Sequence, residues 1–210
     1  MKKIILIGDS GHARVIEDCV RSLSGYEITA KLDDRYVETF IVESIPKGPI
    51  SILEDLLTDD CRIIISIGAN KIRESLVNRL GLSREYFTPI VHSTAIVSES
   101  ATFGRGTVIM PGVIVNAGAI IGDHCIINTN SVVEHDCVVG DFAHISPGAI
   151  LTGGVTVGKG TQIGAGATVI PSVEIGEWTI VGAGATVISN VASYVTVVGT
   201  PAKVVKREGN

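Results

Sequence analysis

Between Val91 and Val187 an aliphatic residue recurs every six positions, without a single insertion. Sixteen of the seventeen positions in that series are Val, Ile or Leu, the exception being Phe103. Four residues after each stands a small or β-branched side chain, such as Ala95, Ala119, Cys137, Thr161 or Ala185. The small residue and the next aliphatic are two apart, so in an extended segment both point to the same side. Each hexad therefore reads as a short strand plus a turn. Glycine often follows the aliphatic, as at Gly104, Gly122, Gly140 and Gly164, and the turns favour Gly, Asn and Asp because some positions require positive φ. One hexad cannot bury its own apolar face. The pattern predicts stacked coils about 4.8 Å apart, with caps at both ends.

The pattern changes before residue 91. Lys3–Gly8 is a continuous apolar run and reads as a buried strand. A helical pattern follows over 13–22, then a second strand over 27–34 ending in Asp33-Asp34. A helix is expected over 50–57, a third strand over 62–68, and a helix from Ala69-Asn70 to Leu80. This alternation predicts a small βαβαβ unit, in which ligands bind at the carboxyl ends of the strands. The loop Gly8-Asp9-Ser10-Gly11-His12 lacks the GxGxxG spacing, but a helix start there suits a diphosphate. An acid-bearing structural cap explains the same residues about as well.

Composition sharpens both readings. Aromatics are 4% of the chain against 45% hydrophobic residues and 24 glycines, so the core is built from small branched side chains. The net charge of −5 argues against a general nucleic-acid binder. Charge is also unevenly spread: residues 91–192 carry only Arg105 and Lys159 as cations, whereas 193–210 is short and basic. A mean hydropathy of +0.41 raises a membrane reading. Gly, Pro, Asn and Ser break every long apolar stretch before the ~20 residues a spanning helix needs, so no membrane insertion is expected. Cys19, Cys61, Cys125 and Cys137 have no metal-type spacing, which fits a reduced, cytoplasmic compartment.

Several motifs share the chain: the Gly8–His12 loop, Leu32-Asp33-Asp34, Ile67-Gly68-Ala69-Asn70, the hexads with Glu134-His135-Asp136, and the closing Val198-Gly199-Thr200-Pro201-Ala202-Lys203. Together they resemble the hexapeptide-repeat sugar-nucleotide acetyltransferases of the sialic acid O-acetyltransferase type, over essentially the whole length. The UDP-4-amino-sugar and GDP-perosamine N-acetyltransferases are the nearest branch. The resemblance implies a Rossmann-like α/β domain over 1–90 that binds a nucleotide sugar. It implies a left-handed parallel β-helix over 91–192, three hexads to a coil, that binds acetyl-CoA between subunits, and a closing tail over 193–210. It also implies a homotrimer. Such an assembly would cover the stripes of outward Val and Ile (Val108 and Ile126; Ile114, Val132 and Ile150; Ile120 and Val138) that three hexads per coil would create.

Acyl transfer from a thioester requires a base, a group that orients it, and donors for the oxyanion. His135 falls at a hexad corner, where its ring can project, and imidazole suits a base near neutral pH. By resemblance His135 matches the catalytic base, Asp136 the acid that raises its basicity (relatives often carry Glu), and Asn128 the same network. His144, Ala165 and Ala183 match contacts to acetyl-CoA, the Ala183 amide being a candidate oxyanion donor where relatives often have Gly. Ser10, Gly11 and His12 match the phosphate- and sugar-contacting loop. Asp33 and Asp34 match the nucleotide-contacting acids, and Gly68, with Asn70 beside it, a strand-end contact. The expected activity is N-acetylation of a UDP- or GDP-linked 4-amino-4,6-dideoxy sugar for surface polysaccharide or glycoconjugate. Sugar O-acetylation and a non-enzymatic scaffold are the alternatives. No metal is expected, because His92, His124, His135 and His144 fall at four different hexad positions, and Cys137 points inward rather than serving as a nucleophile.

Overall fold

The computed structural model describes residues 1–207 of the 210; 208–210, the end of the expected tail, lie outside the described residues. The chain begins with a parallel sheet. Strand β1 (Lys2–Ile7) lies between β2 (Tyr26–Leu32) and β5 (Cys61–Ile65), and helix α1 (Gly11–Arg21) connects β1 to β2. The sheet continues beyond β2 through a hairpin, β3 (Phe40–Val42) and β4 (Ile45–Gly48), in the order β3-β4-β2-β1-β5. The hydrophobic pattern does not announce that hairpin. Its two turn residues, Glu43 and Ser44, both take positive φ, 51° and 67°, in a turn that usually advertises itself as Asn-Gly. The helix expected over 50–57 is instead a 3-10 turn at Ile50–Ile52 and a single α-turn, α2 (Leu53–Leu56). Pro49 delays its start, and Leu57 is already extended. Helix α3 (Asn70–Leu80) follows β5 and ends on Gly81 in the left-handed conformation.

From Ile90 the hexads take over. Seventeen two-residue strands run from Ile90–Val91 to Thr186–Val187. Every pairing between them is parallel and offset by 18 residues, as in Ile114↔Val132 and Ile126↔His144. A coil is thus three hexads, and the coils stack into a three-sided prism. The first face carries Val108, Ile126, His144, Gln162 and Ile180 outward; the second carries Ile114, Val132 and Ile150; the third carries Ile120 and Val138. The aliphatic of each strand points inward and is buried, as at Val115, Val133, Leu151 and Val169. Buried Thr107, Thr161 and Ser131 hydroxyls donate to corner carbonyls of Gly122, Gly176 and Asn128 at 2.8, 2.6 and 2.7 Å, so the polar positions in the lumen leave no donor unmet.

From Gly106 to Gly184 each corner turns on one residue with φ near +60°. On the corner before the first face these are Gly106, His124, Phe142, Gly160 and Trp178; on the corner after it Gly112, Asn130, Gly148, Gly166 and Gly184; on the far corner Gly118, Asp136, Gly154 and Ser172. A residue with a side chain at this position lays it over the coil before, which explains the alternation with glycine. A Cβ on Gly118 would sit 2.7 Å from Asp136 Oδ1, and one on Gly160 2.4 Å from the Trp178 ring.

The α/β domain packs against the early half of the first face. Val108 and Ile126, expected to await a partner subunit, are buried within the chain, each 1% exposed, in the same apolar cluster as Ile4, Leu6 and Ile64. Ile120 and Val138, on the third face, remain open. Ion pairs Arg84–Asp123 (2.6 Å) and Lys159–Glu74 (2.6 Å) border the junction. A strand at Val195–Val198 extends the first face, and an antiparallel strand at Lys203–Arg207 closes it. Among the described residues no helix is long and apolar enough to cross a membrane.

Candidate active site

The far corner presents His135. Asp136 holds the left-handed position, φ 59°, which aims its carboxylate back at its neighbour. His135 Nδ1 lies 2.9 Å from Asp136 Oδ2. The carboxylate only accepts, so Nδ1 carries the proton and Nε2 keeps its lone pair. Asp136 holds the His135 pKa above that of an ordinary histidine, chiefly through this hydrogen bond. The ring is exposed, yet it is not loose. Directly above it, 18 residues on, stands Gly153, where a Cβ would lie 2.6 Å from His135 Nε2. The absence of a side chain at 153 is what lets the imidazole lie flat on the next coil. Gly153 was missed in the sequence, although its distance from His135, one full coil, is a usable signal.

A second group gathers where the α/β domain meets the first face. His144 projects from that face, and Asn128 Nδ2 donates to His144 Nε2 at 3.0 Å. The amide orientation follows from Asn128 Oδ1, which accepts from the Thr129 amide at 2.8 Å. Asn128 was expected in the network of His135; within one protomer it serves His144 instead, because 126–127 and 144–145 are paired strands of the first face while His135 lies at the far corner. His12 faces His144 with ring centroids 6.3 Å apart. Its Nε2 is buried and has no partner among the described residues, an orphan that a bound polar group would satisfy. Burial, reinforced by Arg73, pushes His12 down to about 4 and His144 to about 3, so both rings are neutral near pH 7.

Arg73 was not foreseen. On helix α3 it shares the stripe of Leu76, Val77 and Leu80 and is 1% exposed. Its guanidinium donates to the carbonyls of Ile67 (3.0 Å), Gly68 (3.1 Å), His124 (2.8 Å) and Phe142 (2.7 Å), and to Asn70 Oδ1 (3.0 Å). No carboxylate takes part, and burial lowers its pKa to about 10. Arg73 therefore ties the Gly68 strand end to two coils of the prism. Asn70 works in the same joint, its Nδ2 donating to the Gly160 carbonyl at 3.0 Å.

Ser10 and Gly11 open α1 and are exposed beside this joint; Ser10 makes no side-chain cap. Asp33 braces the same loop, its Oδ2 accepting from the Asp9 amide at 2.8 Å. Asp34 instead pairs with Arg79 at 2.8 and 3.0 Å, on the rim of a cavity of about 290 Å³ lined also by Ile50 and Leu53. Asp9 sits between Lys47 (2.6 Å) and the Tyr36 hydroxyl (2.7 Å), contacts that hold its carboxyl below the usual range despite burial. Ala165 and Ala183 are exposed one coil apart on the corner after the first face. His124, on the corner before the first face, is packed between Phe87 and the stacked ring of Phe142, at 4.7 and 5.2 Å. Among the described residues no group of three or more His, Cys, Asp or Glu is placed to hold a metal.

Comparison with known proteins decides the family. Residues 3–80 match the PglD N-terminal domain, and 100–135 and 154–189 match the bacterial transferase hexapeptide. The acetyltransferase domain of PglB from Neisseria gonorrhoeae is 34% identical and superposes with a TM-score of 0.88, over 98% of this chain and 100% of that one. The chain belongs to the hexapeptide-repeat acetyltransferases with a PglD-type N-terminal domain. PerB from Caulobacter crescentus, solved with CoA and GDP-perosamine, is 36% identical with a TM-score of 0.85 over 96% of each chain. The UDP-N-acetylbacillosamine N-acetyltransferase of Bacillus subtilis is 42% identical over 112 residues; that match spans about half its length, 52%, and 52% of this chain. The family fold is the Rossmann-like domain followed by the left-handed parallel β-helix that the resemblance implies.

Proposed function

We propose that this acetyltransferase moves the acetyl group of acetyl-CoA onto the amine of a nucleotide-linked amino sugar, a UDP- or GDP-4-amino-4,6-dideoxy sugar, with His135 as general base. The observation that carries this reading is the His135–Asp136 pair at an open corner, Nδ1 held and Nε2 free over Gly153, in a chain alike over nearly its whole length to a protein solved with CoA and GDP-perosamine. His135 Nε2 takes a proton from the amine as its nitrogen attacks the thioester carbonyl. The C–S bond breaks, and the departing thiolate takes the proton back from the imidazolium. Asp136 steadies the transient imidazolium. In this reading the Ala183 amide meets the carbonyl oxygen.

In this reading residues 1–90 hold the sugar nucleotide, 91–192 the acetyl donor, and 193–210 close the prism. His12 Nε2, Ser10, Gly11 and Gly68 face the phosphates and sugar, while His144 lines the donor's path. His135 and His144 lie on opposite sides of one prism, so a complete site requires a second copy; the open Ile120 and Val138 stripe supports a homotrimer. Four buried, unpaired thiols support a cytoplasmic setting. Incubation with acetyl-CoA and UDP- or GDP-linked 4-amino-4,6-dideoxy sugars, read by thiol release and product mass, tests the activity. Thiol release with a hydroxylamine-labile product would favour O-acetylation. No release with any sugar would leave the scaffold reading.

A further inference from the structure

Trp178 is the only tryptophan of the chain, and it occupies a left-handed corner position, φ 51°. His124 and Phe142 hold the same position on the coils below, but their rings are packed against each other, whereas Trp178 lines an open cavity. Gly160, one coil earlier, is the platform that accepts the indole: a Cβ at 160 would lie 2.4–2.5 Å from three ring carbons. Lys71 of α3 stands near the ring, its Nζ 6.0 Å from the ring centroid. The neighbouring cation, Lys159, is paired with Glu74, whereas Lys71 makes no ion pair among the described residues. Trp178, Lys71, Gln162, Ile180 and the first residues of α3 enclose a cavity of about 320 Å³.

We propose that this cavity is a nucleotide subsite, in which the Trp178 indole stacks on a heterocyclic base and Lys71 meets a phosphate of the same ligand. A flat aromatic wall beside one ammonium suits a planar ring with an attached anion. The placement agrees. Gln162 and Ile180 follow His144 up the first face at successive coils, so the cavity begins about 5–10 Å from His144. Ala69 and Asn70 of its wall directly follow Gly68. Resting on the acetyltransferase reading, two ligands bring such a group past this point: the adenosine 3′,5′-bisphosphate end of acetyl-CoA and the diphosphonucleoside of the sugar donor.

The test uses the full chain with adenosine 3′,5′-bisphosphate, UDP and GDP as separate probes, followed by Trp178 emission and by calorimetry. At least one probe is expected to quench the emission and to bind. Quenching by the bisphosphate alone assigns the subsite to the acetyl donor; quenching by UDP or GDP alone assigns it to the sugar. Trp178→Leu should weaken that probe roughly 10- to 100-fold, with Trp178→Phe keeping most of the affinity. The exposed Lys71→Ala should weaken it about threefold while Lys71→Arg restores it. No quenching by any probe, or unchanged affinity in both Trp178→Leu and Lys71→Ala, overturns the subsite. If acetyl transfer still proceeds in that case, the activity stands without it; if the probes bind as expected and no acetyl moves, the activity falls instead.

Discussion

Placing one methyl group at residue 153 separates the geometry of the base from the integrity of the fold. Gly153 is not among the left-handed glycines, so alanine there carries no backbone strain. Its Cβ would stand 2.6 Å from His135 Nε2 and 2.7 Å from Cε1, against about 3.5–4.0 Å for a relaxed contact. The imidazole must therefore retreat by about 1 Å, a displacement that costs on the order of 10²-fold where attack geometry is tight. A surface methyl of this kind changes stability by no more than about 0.5 kcal/mol. Gly154→Ala is the matched control. Gly154 has φ +69°, and an added Cβ meets only Ser172 at 3.6 Å, so alanine there costs about 1 kcal/mol of left-handed strain and leaves His135 alone. Initial rates of thiol release at saturating substrates, beside thermal melts, should show opposite signatures: Gly153→Ala slow with an unchanged melt, Gly154→Ala near full rate with a lower one. A folded Gly153→Ala protein within twofold of the parent kcat would refute the placement of the ring as the reason for that glycine.

Other outcomes follow from the same geometry. His135→Ala should lower kcat by roughly 10²–10⁴-fold, with assembly unchanged by sedimentation. Asp136→Asn should slow turnover and move the acid limb of the kcat/KM profile to lower pH: Asp136 raises the His135 pKa, the base works unprotonated, and removing the acceptor lets it stay so further down the scale. Mixing His135→Ala with His144→Ala subunits should restore up to about a quarter of the parent rate if each site draws one histidine from each of two copies; no recovery in verified hybrids argues for a site within one protomer. Arg73→Met should destabilise by about 3–5 kcal/mol by leaving buried carbonyls unmet, visible as a lower melt, and should raise KM for the sugar nucleotide more than for acetyl-CoA. Burial holds His124 down at about 4 against an ordinary 6.5, so the unfolded chain takes up its proton first. His124 stabilisation, on the order of 3 kcal/mol, is complete above pH 6.5 and is lost as pH falls toward 4, which melts between pH 7 and 4 will follow.

The prism was legible because its constraints are local and repeated. Each hexad restates which residue turns inward and which bends the corner, so these follow from counting, while the three-hexad coil, and with it the 18-residue register that sorts Ile120, His144 and Gln162 onto their faces, rests on the resemblance. His135–Asp136 was legible for the same reason, being adjacent in sequence. What escaped notice involves distant partners. Arg73 shares the helix stripe of Leu76, Val77 and Leu80, and only the docking of α3 on the coils of His124 and Phe142 shows what a cation does there. Asp9 and Tyr36 from two loops converge with Lys47 of β4, a trio that no spacing rule connects. The burial of Val108 and Ile126 required knowing which face the α/β domain covers, and the Glu43-Ser44 turn hid a hairpin because it carries neither the Asn nor the Gly that positive φ favours.

The uninterrupted winding makes this molecule a ruler marked in rungs. Excising one full repeat above Gly153 would lower everything beyond it by a single strand spacing without rotating it. Reach along the shaft can thus change only in whole increments, and a lineage needing a longer or shorter donor would add or drop rungs, not reshape them.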